Sequence, residues 1–165
     1  MQIKTSFISR VNGEKVETIY KDIDNLSEIS DLKISSARAI CFCGDKIVLV
    51  YADKKGVWGP PAGGLEPGED AETAIVREVK EETNMKVLKK RIIGLQTDSS
   101  PSDVKNHAVF VCLVEPYGPF VADEDGEEPV TKIELIDPKD YKKYFNWGAN
   151  LDRMIEISLI LKTVL

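Results

Sequence analysis

The stretch GGLEPGEDAETAIVREVKEETNM, residues 63–85, runs from a glycine- and proline-rich loop into a helix. Asp70 is a favourable N-cap, because its carboxylate can accept from the free amides of a first turn. Glu69, Asp70 and Glu72 suit the positive end of the helix dipole, and the spacing predicts a helix over 70–83. With Ala71 at 0° and about 100° per residue, Ala71, Ala74, Ile75 and Val79 share one side, which should pack on a sheet. Thr73, Arg77 and Lys80 lie broadly opposite, towards solvent. Glu78, Glu81 and Glu82 do not join them. They fall near roughly −20°, −80° and +20°, so the inward side turns from apolar to acidic over the last turn and a half.

That placement is costly. Carboxylates at i, i+3 and i+4 repel by roughly 0.2–0.5 kcal/mol per pair on an exposed helix. Acids in a last turn also oppose the dipole, at about 0.3–1 kcal/mol each. A solvated charge run is the ordinary reading of an acidic helix, but it leaves acids on the inward side at the unfavourable end without a reason. A divalent cation removes both penalties, and hard carboxylate oxygens suit Mg²⁺ or Mn²⁺.

Working outward, residues 51–69 read as a loop containing Gly56, Gly59, Pro60, Pro61, Gly63, Gly64, Pro67 and Gly68. Before it come two β-rich runs, 37–43 and 46–51, joined through Gly44-Asp45. Near the start, runs 6–11 and 14–20 flank Asn12-Gly13, the preferred pair for a two-residue hairpin turn. The polar stretch 22–31 suits a helical turn or a linker. After the helix, strands are expected at 87–96, 107–115 and 130–136, with 117–129 an exposed acidic loop. Asn150 can cap a closing amphipathic helix over 151–165. Strands interleaved with two helices predict an α/β fold, a sheet covered by helices on its faces.

The 165 residues fit one domain, with residues 1–35 as an N-terminal hairpin extension. The net charge of −6 and the lack of a basic stripe argue against gripping a nucleic-acid polymer. A small phosphorylated molecule remains compatible, provided cations bridge the like charges. No stretch approaches the roughly 20 apolar residues of a membrane span, and MQIKTSFISR lacks the apolar run of a secretory signal. Cys41, Cys43 and Cys112 lie in apolar runs and are expected as buried free thiols, so a cytoplasmic protein is expected. His107 is the only histidine and no serine or cysteine motif accompanies it. Ser-His-Asp and Cys-His catalysis are therefore discounted, and His107 is expected to be structural.

Residues 63–85 also resemble the Nudix box, G-x5-E-x7-R-E-U-x-E-E-x-G-U, with U aliphatic. Gly63, Glu69, Arg77, Glu78, Val79, Glu81, Glu82 and Met85 fall on its positions, and Asn84 stands where the pattern has glycine. Asn84 is expected to end the helix as glycine would, since its short polar side chain tolerates φ > 0. The resemblance implies an α/β/α sandwich with a mixed sheet. It implies metal binding by Glu78, Glu81 and Glu82, with the backbone carbonyl of Ala62 beside them. Glu69 and Arg77 match an ion pair holding loop to helix; Glu78, Glu81 and Arg77 are the implied catalytic set. Gly63, Gly64 and Gly68 let the loop turn tightly near the phosphates, and Trp58 either stacks on a base or packs beside the loop.

The implied reaction is Mg²⁺-dependent (Mn²⁺ as substitute) attack of water on the diphosphate of a nucleotide, ADP-ribose or nucleotide sugar. A further carboxylate from the loop before 130–136 is expected as base or ligand, Glu128 in preference to Glu127. Pro61-Ala62-Gly63 with Pro101 resembles ADP-ribose pyrophosphatases, whereas Trp58-Gly59 resembles members acting on nucleoside triphosphates, so the substrate stays open. Tyr51 and Trp147 are core or rim candidates; Lys54 and Lys55 either meet phosphates or form a solvated turn. The N-terminal hairpin either supports a homodimer or caps the site. The rival reading is a catalytically silent Nudix-like nucleotide-binding or regulatory domain, and the intact acids weigh against it.

Overall fold

The computed structural model describes residues 1–122 and 129–165. Among the described residues nine strands form one mixed sheet: β1 (Gln2–Ile8), β2 (Lys15–Asp22), β3 (Ser36–Cys43), β4 (Lys46–Ala52), β5 (Val57–Gly59), β6 (Ala62–Gly64), β7 (Met85–Ser99), β8 (Val104–Pro116) and β9 (Val130–Ile136). Helix α1 (Ala71–Thr83) follows β6, and α2 (Ala149–Leu161) closes the described chain but for a last turn. The main path runs β1-β2-β7-β8-β3-β4-β5, with β6 beside β3 and β9 beside β4. Every pairing is antiparallel except β3 with β8.

Alternation along the central strands gives each sheet face its own core. Ala37, Ala39 and Cys41 of β3 join Ala108, Phe110 and Cys112 of β8 under α1, whose Ala74, Ile75 and Val79 are fully buried. Ile40 and Phe42 join Val109 and Val111 on the opposite face, under Leu151, Met154 and Ile155 of α2. The expected α/β/α sandwich is therefore the observed one. Cys41 and Cys112 are buried free thiols as expected, while Cys43 is half-buried. Among the described residues no helix is long and apolar enough to cross a membrane.

Four local expectations are corrected. Asn12-Gly13 is not a two-residue turn: strand pairing stops at Ile8 opposite Lys15, and Ser9 N donates to Glu14 O at 2.8 Å. Only Gly13 of the pair has positive φ, and Asn12 instead accepts from Glu14 N through its side chain at 3.1 Å. Asn150 lies inside α2 rather than capping it; Gly148 occupies the N-cap, and Asn150 donates to Thr5 Oγ1 of β1 at 3.0 Å. That helix ends at Leu161, short of the expected 165. Strands β7 and β8 are longer than expected because they pair with each other throughout. The polar stretch before β3 holds a 3-10 turn, Leu26–Ile29, capped by Asn25, which is the helical turn expected there.

Candidate functional site

The loop expected over 51–69 contains two three-residue strands, and β6 decides its position. Antiparallel pairing sets Ala62 opposite Arg38, Gly63 opposite Ala37 and Gly64 opposite Ser36 of β3. Ala39 N donates to Pro61 O at 3.0 Å and Leu65 N to Ser35 O at 3.2 Å, so the loop is sewn to the sheet on both sides of the glycines. Thr73 N donates to Asp70 Oδ1 at 2.7 Å, which starts α1 as expected. Asn84 ends it in the left-handed region, φ 53° and ψ 37°. Its side chain also donates to Pro119 O at 2.9 Å, a bond that glycine would lack.

Arg77 joins the loop to the helix. Its Nε and Nη2 donate to the two carboxylate oxygens of Glu69 at 2.9 and 2.8 Å, and Nη2 also donates to Gly64 O at 3.0 Å. Its Nη1 donates to Glu78 at 2.6 Å and Glu81 at 3.2 Å. The wheel directed Arg77 towards solvent, yet its side chain is only 21% exposed, because the loop folds over that side of the helix. The Arg77 hydrogen bonds hold Glu69 well below the usual carboxylate range, at about 2 instead of 4.5. A carboxylate with a depressed folded value stabilises above its unfolded value and loses that contribution as pH falls through the folded one. The difference in Tm between the wild type and Glu69→Gln should therefore be constant near neutrality and shrink from pH about 4.5 towards about 2. Thermal melts of both proteins across that range check it; a constant difference would remove the ion pair from the stability argument.

The three glutamates occupy unequal places. The Glu78 side chain is 13% exposed, and burial raises its pKa while Arg77 opposes the rise. A Cβ on Gly63 would overlap the Glu78 carboxyl group, so glycine at 63 is what allows this acid to reach the loop. Glu82 accepts from Ala62 N at 3.1 Å. This contact is made by the Ala62 amide, while the role the resemblance implies belongs to its carbonyl. Glu81, which the wheel grouped with the inward acids, is instead 53% exposed, because at about 80° from the centre of the packed face it clears the sheet. Among the described residues no three acidic, cysteine or histidine side chains converge on one point, since Arg77 and the Ala62 amide hold these carboxylates. Their chemistry nevertheless fits a hard divalent cation: all donors are oxygens, and Glu78 is a desolvated acid with one arginine shared among three carboxylates.

A cleft of about 1160 Å³ opens over these acids and is lined by Gly63, Gly64 and Trp58 as well. Trp58 packs between Tyr51 and Tyr144, with ring centroids 5.2 and 5.8 Å away, so it is both a packing residue and a wall of the cleft. Lys55 lines the cleft and Trp147 stands on its rim, 39% exposed. Glu127 and Glu128 lie outside the described residues.

His107 has partners that were not visible in sequence. Parallel pairing sets Ser36 beside it; Ser36 Oγ lies 2.6 Å from Nδ1, and Asp98 Oδ2 lies 3.1 Å from Nε2. Thr18 and Gln96 donate to the other Asp98 oxygen at 2.8 and 3.0 Å. Burial works to raise Asp98, but His107, Thr18 and Gln96 outweigh it and hold it below the usual range. The row ties β2, β7, β8 and β3 together beside the cleft; Arg38, two residues along β3 from Ser36, is the member of this polar group that lines it. Sequence reading missed Arg38. Its signal was a lone charge inside the apolar run 37–43.

A mixed sheet between two helices, with a glycine loop leading into a glutamate-bearing helix, defines the class of protein. The chain belongs to the NUDIX family: the family model for the NUDIX domain matches residues 33–156. It is 31% identical over 116 residues to an ADP-ribose pyrophosphatase of Methanocaldococcus jannaschii, covering 62% of this chain and 68% of that protein. It is 29% identical over 108 residues to Nudix hydrolase 2 of Arabidopsis thaliana, and that match spans 62% of this chain but 37% of the plant protein. Its fold resembles the crystal structure of a Bacillus subtilis pyrophosphohydrolase, with TM-score 0.61 and 23% identity over 96% of this chain and 88% of that one.

Proposed function

We propose that this chain is a Mg²⁺- or Mn²⁺-dependent pyrophosphohydrolase that cleaves the diphosphate linkage of a nucleoside diphosphate derivative of the nucleotide, ADP-ribose or nucleotide-sugar type. The observation that carries the reading is Glu78, a desolvated acid seated against Gly63 in the floor of a cleft wide enough for a nucleotide. The family membership and the archaeal ADP-ribose pyrophosphatase relative support the same reaction class. Residues 1–35 are read as an extension of a single domain.

Glu78 and Glu82 would hold the metal from the cleft floor, with Glu81 reaching in from the rim. When bound, a divalent cation neutralises phosphate oxygens and acidifies a water. Arg77 keeps Glu78 and Glu81 oriented and fastens the loop through Glu69. Water attacks one phosphorus, the bridging oxygen leaves with the other phosphoryl group, and the water proton passes to a carboxylate. Glu78, Glu81 and Glu128 are the candidates for that base. Gly63 and Gly64 line the cleft where the phosphates would lie, and Gly63 leaves the room that Glu78 needs there.

An assay across ADP-ribose, nucleoside triphosphates, dinucleoside polyphosphates and nucleotide sugars tests this reading. Cleavage of at least one, dependent on Mg²⁺ or Mn²⁺ and abolished by a chelator, is expected. No cleavage of any with either metal would favour a silent nucleotide-binding domain.

A further inference from the structure

Arg38 is a half-buried cation without an adequate anion. By alternation it shares the face of Ile40 and Phe42, but it lines the cleft rather than packing under α2. A guanidinium carries five N–H donors. Its only hydrogen bond within the described residues is from Nη1 to Gln96 Oε1, at 3.5 Å. Nε is buried and has no partner. Asp98 acts on Arg38 through its charge, yet the Asp98 oxygens are taken by Thr18, Gln96 and His107. The Arg38 guanidinium carbon lies 5.1 Å from the centre of the Trp147 ring, which in turn packs edge-on against Phe145 at 5.2 Å.

Leaving the buried Nε of this guanidinium without a partner is unfavourable unless a ligand completes it. The unpaired edge is the one formed by Nε and Nη2, the same edge with which Arg77 grips Glu69 twofold. Strand register sets Arg38 opposite Ala62, whose amide holds Glu82, and Arg38 lines the same cleft as the box acids, which its guanidinium enters by a small turn of the side chain when a phosphoryl group binds. Two parallel donors with a full positive charge match two oxygens of one phosphoryl group better than any neutral base edge.

We propose that Arg38 is a substrate-binding residue that grips a phosphoryl group of the diphosphate across the cleft from the glutamates, and that Trp147 and Gln96 keep it aimed. This rests on the pyrophosphohydrolase reading for its substrate, though not for its binding measurement. Trp147 is a positioning residue here, since it acts through the guanidinium.

The test compares wild type, Arg38→Gln, Arg38→Lys and Trp147→Leu in two measurements. One is KM and kcat on whichever substrate the wild type cleaves; the other is calorimetric affinity for inorganic pyrophosphate with Mg²⁺. Arg38→Gln should raise KM and weaken pyrophosphate on the order of 10- to 100-fold, with kcat within about threefold. Arg38→Lys, which keeps the charge and loses the fork, should recover only part of this. Trp147→Leu at the rim should raise KM several-fold and lower pyrophosphate affinity in step. Unchanged pyrophosphate affinity in Arg38→Gln overturns the proposal, including the case in which KM rises, because the guanidinium would then read the nucleoside side. Should Arg38→Gln not fold, Arg38→Lys and Trp147→Leu decide in the same way. If the wild type cleaves nothing, the pyrophosphohydrolase reading fails while the calorimetry still decides on Arg38.

Discussion

Replacing Glu82 by glutamine should lower kcat/KM by about 10²- to 10⁴-fold at saturating metal while leaving the fold intact. The reason lies in what the substitution keeps. A glutamine Oε1 can still accept from Ala62 N, so the tie between helix and loop survives and only the negative charge is lost. In the metal-free protein that loss should be neutral or slightly stabilising, because it relieves repulsion among acids at the wrong end of a helix dipole. Activity and metal-free Tm are thus expected to move independently. Steady-state kinetics with Mg²⁺ and a thermal melt in chelator read the two. A parental rate in Glu82→Gln would show that Glu82 is not a ligand the reaction needs.

Gly63→Ala should be nearly as damaging, for a steric reason. The added methyl would occupy the place of the Glu78 carboxyl group, and that group, at the end of a flexible side chain, can move away. The fold should therefore survive, with Tm within a few degrees, but Glu78 would be displaced by about an ångström or more. Misplacement on that scale costs on the order of 10²-fold in rate. Gly64→Ala is the matched control: its Cβ would meet nothing closer than Ser35 O at 3.8 Å, and its φ is not in the left-handed region. It should keep most of the activity. Equal losses in the two variants would mean that loop entropy, rather than room for Glu78, explains the glycines.

The same contrast separates what sequence could and could not reveal in the box. The resemblance gave Gly63 and Gly64 the same reason, a tight turn near the phosphates; the approach of Glu78 gives Gly63 a steric reason that Gly64 lacks. The wheel placed Glu78 and Glu82 inward correctly because helix periodicity is local, but Glu81, grouped with them, is exposed. It placed Arg77 in solvent incorrectly because a wheel contains no loop to fold back over the helix. Asn12-Gly13 misled for a related reason: a local turn preference was overridden by where the two strands find register.

By itself, the sequence determined the limits of α1, from the Asp70 cap to the left-handed Asn84, and the strand at Val130–Ile136. It also determined that three acids gather at the helix end, since each of these features depends on residues within a turn or two of one another. Only the tertiary structure decided that β5 and β6 exist, because three-residue strands have no stability apart from the partners that pair with them. It alone joined Ser36, Asp98 and His107, and it alone set Arg38 across from Ala62. Those contacts span up to 71 residues of chain, a separation at which no pattern of neighbours carries information and only sheet register does.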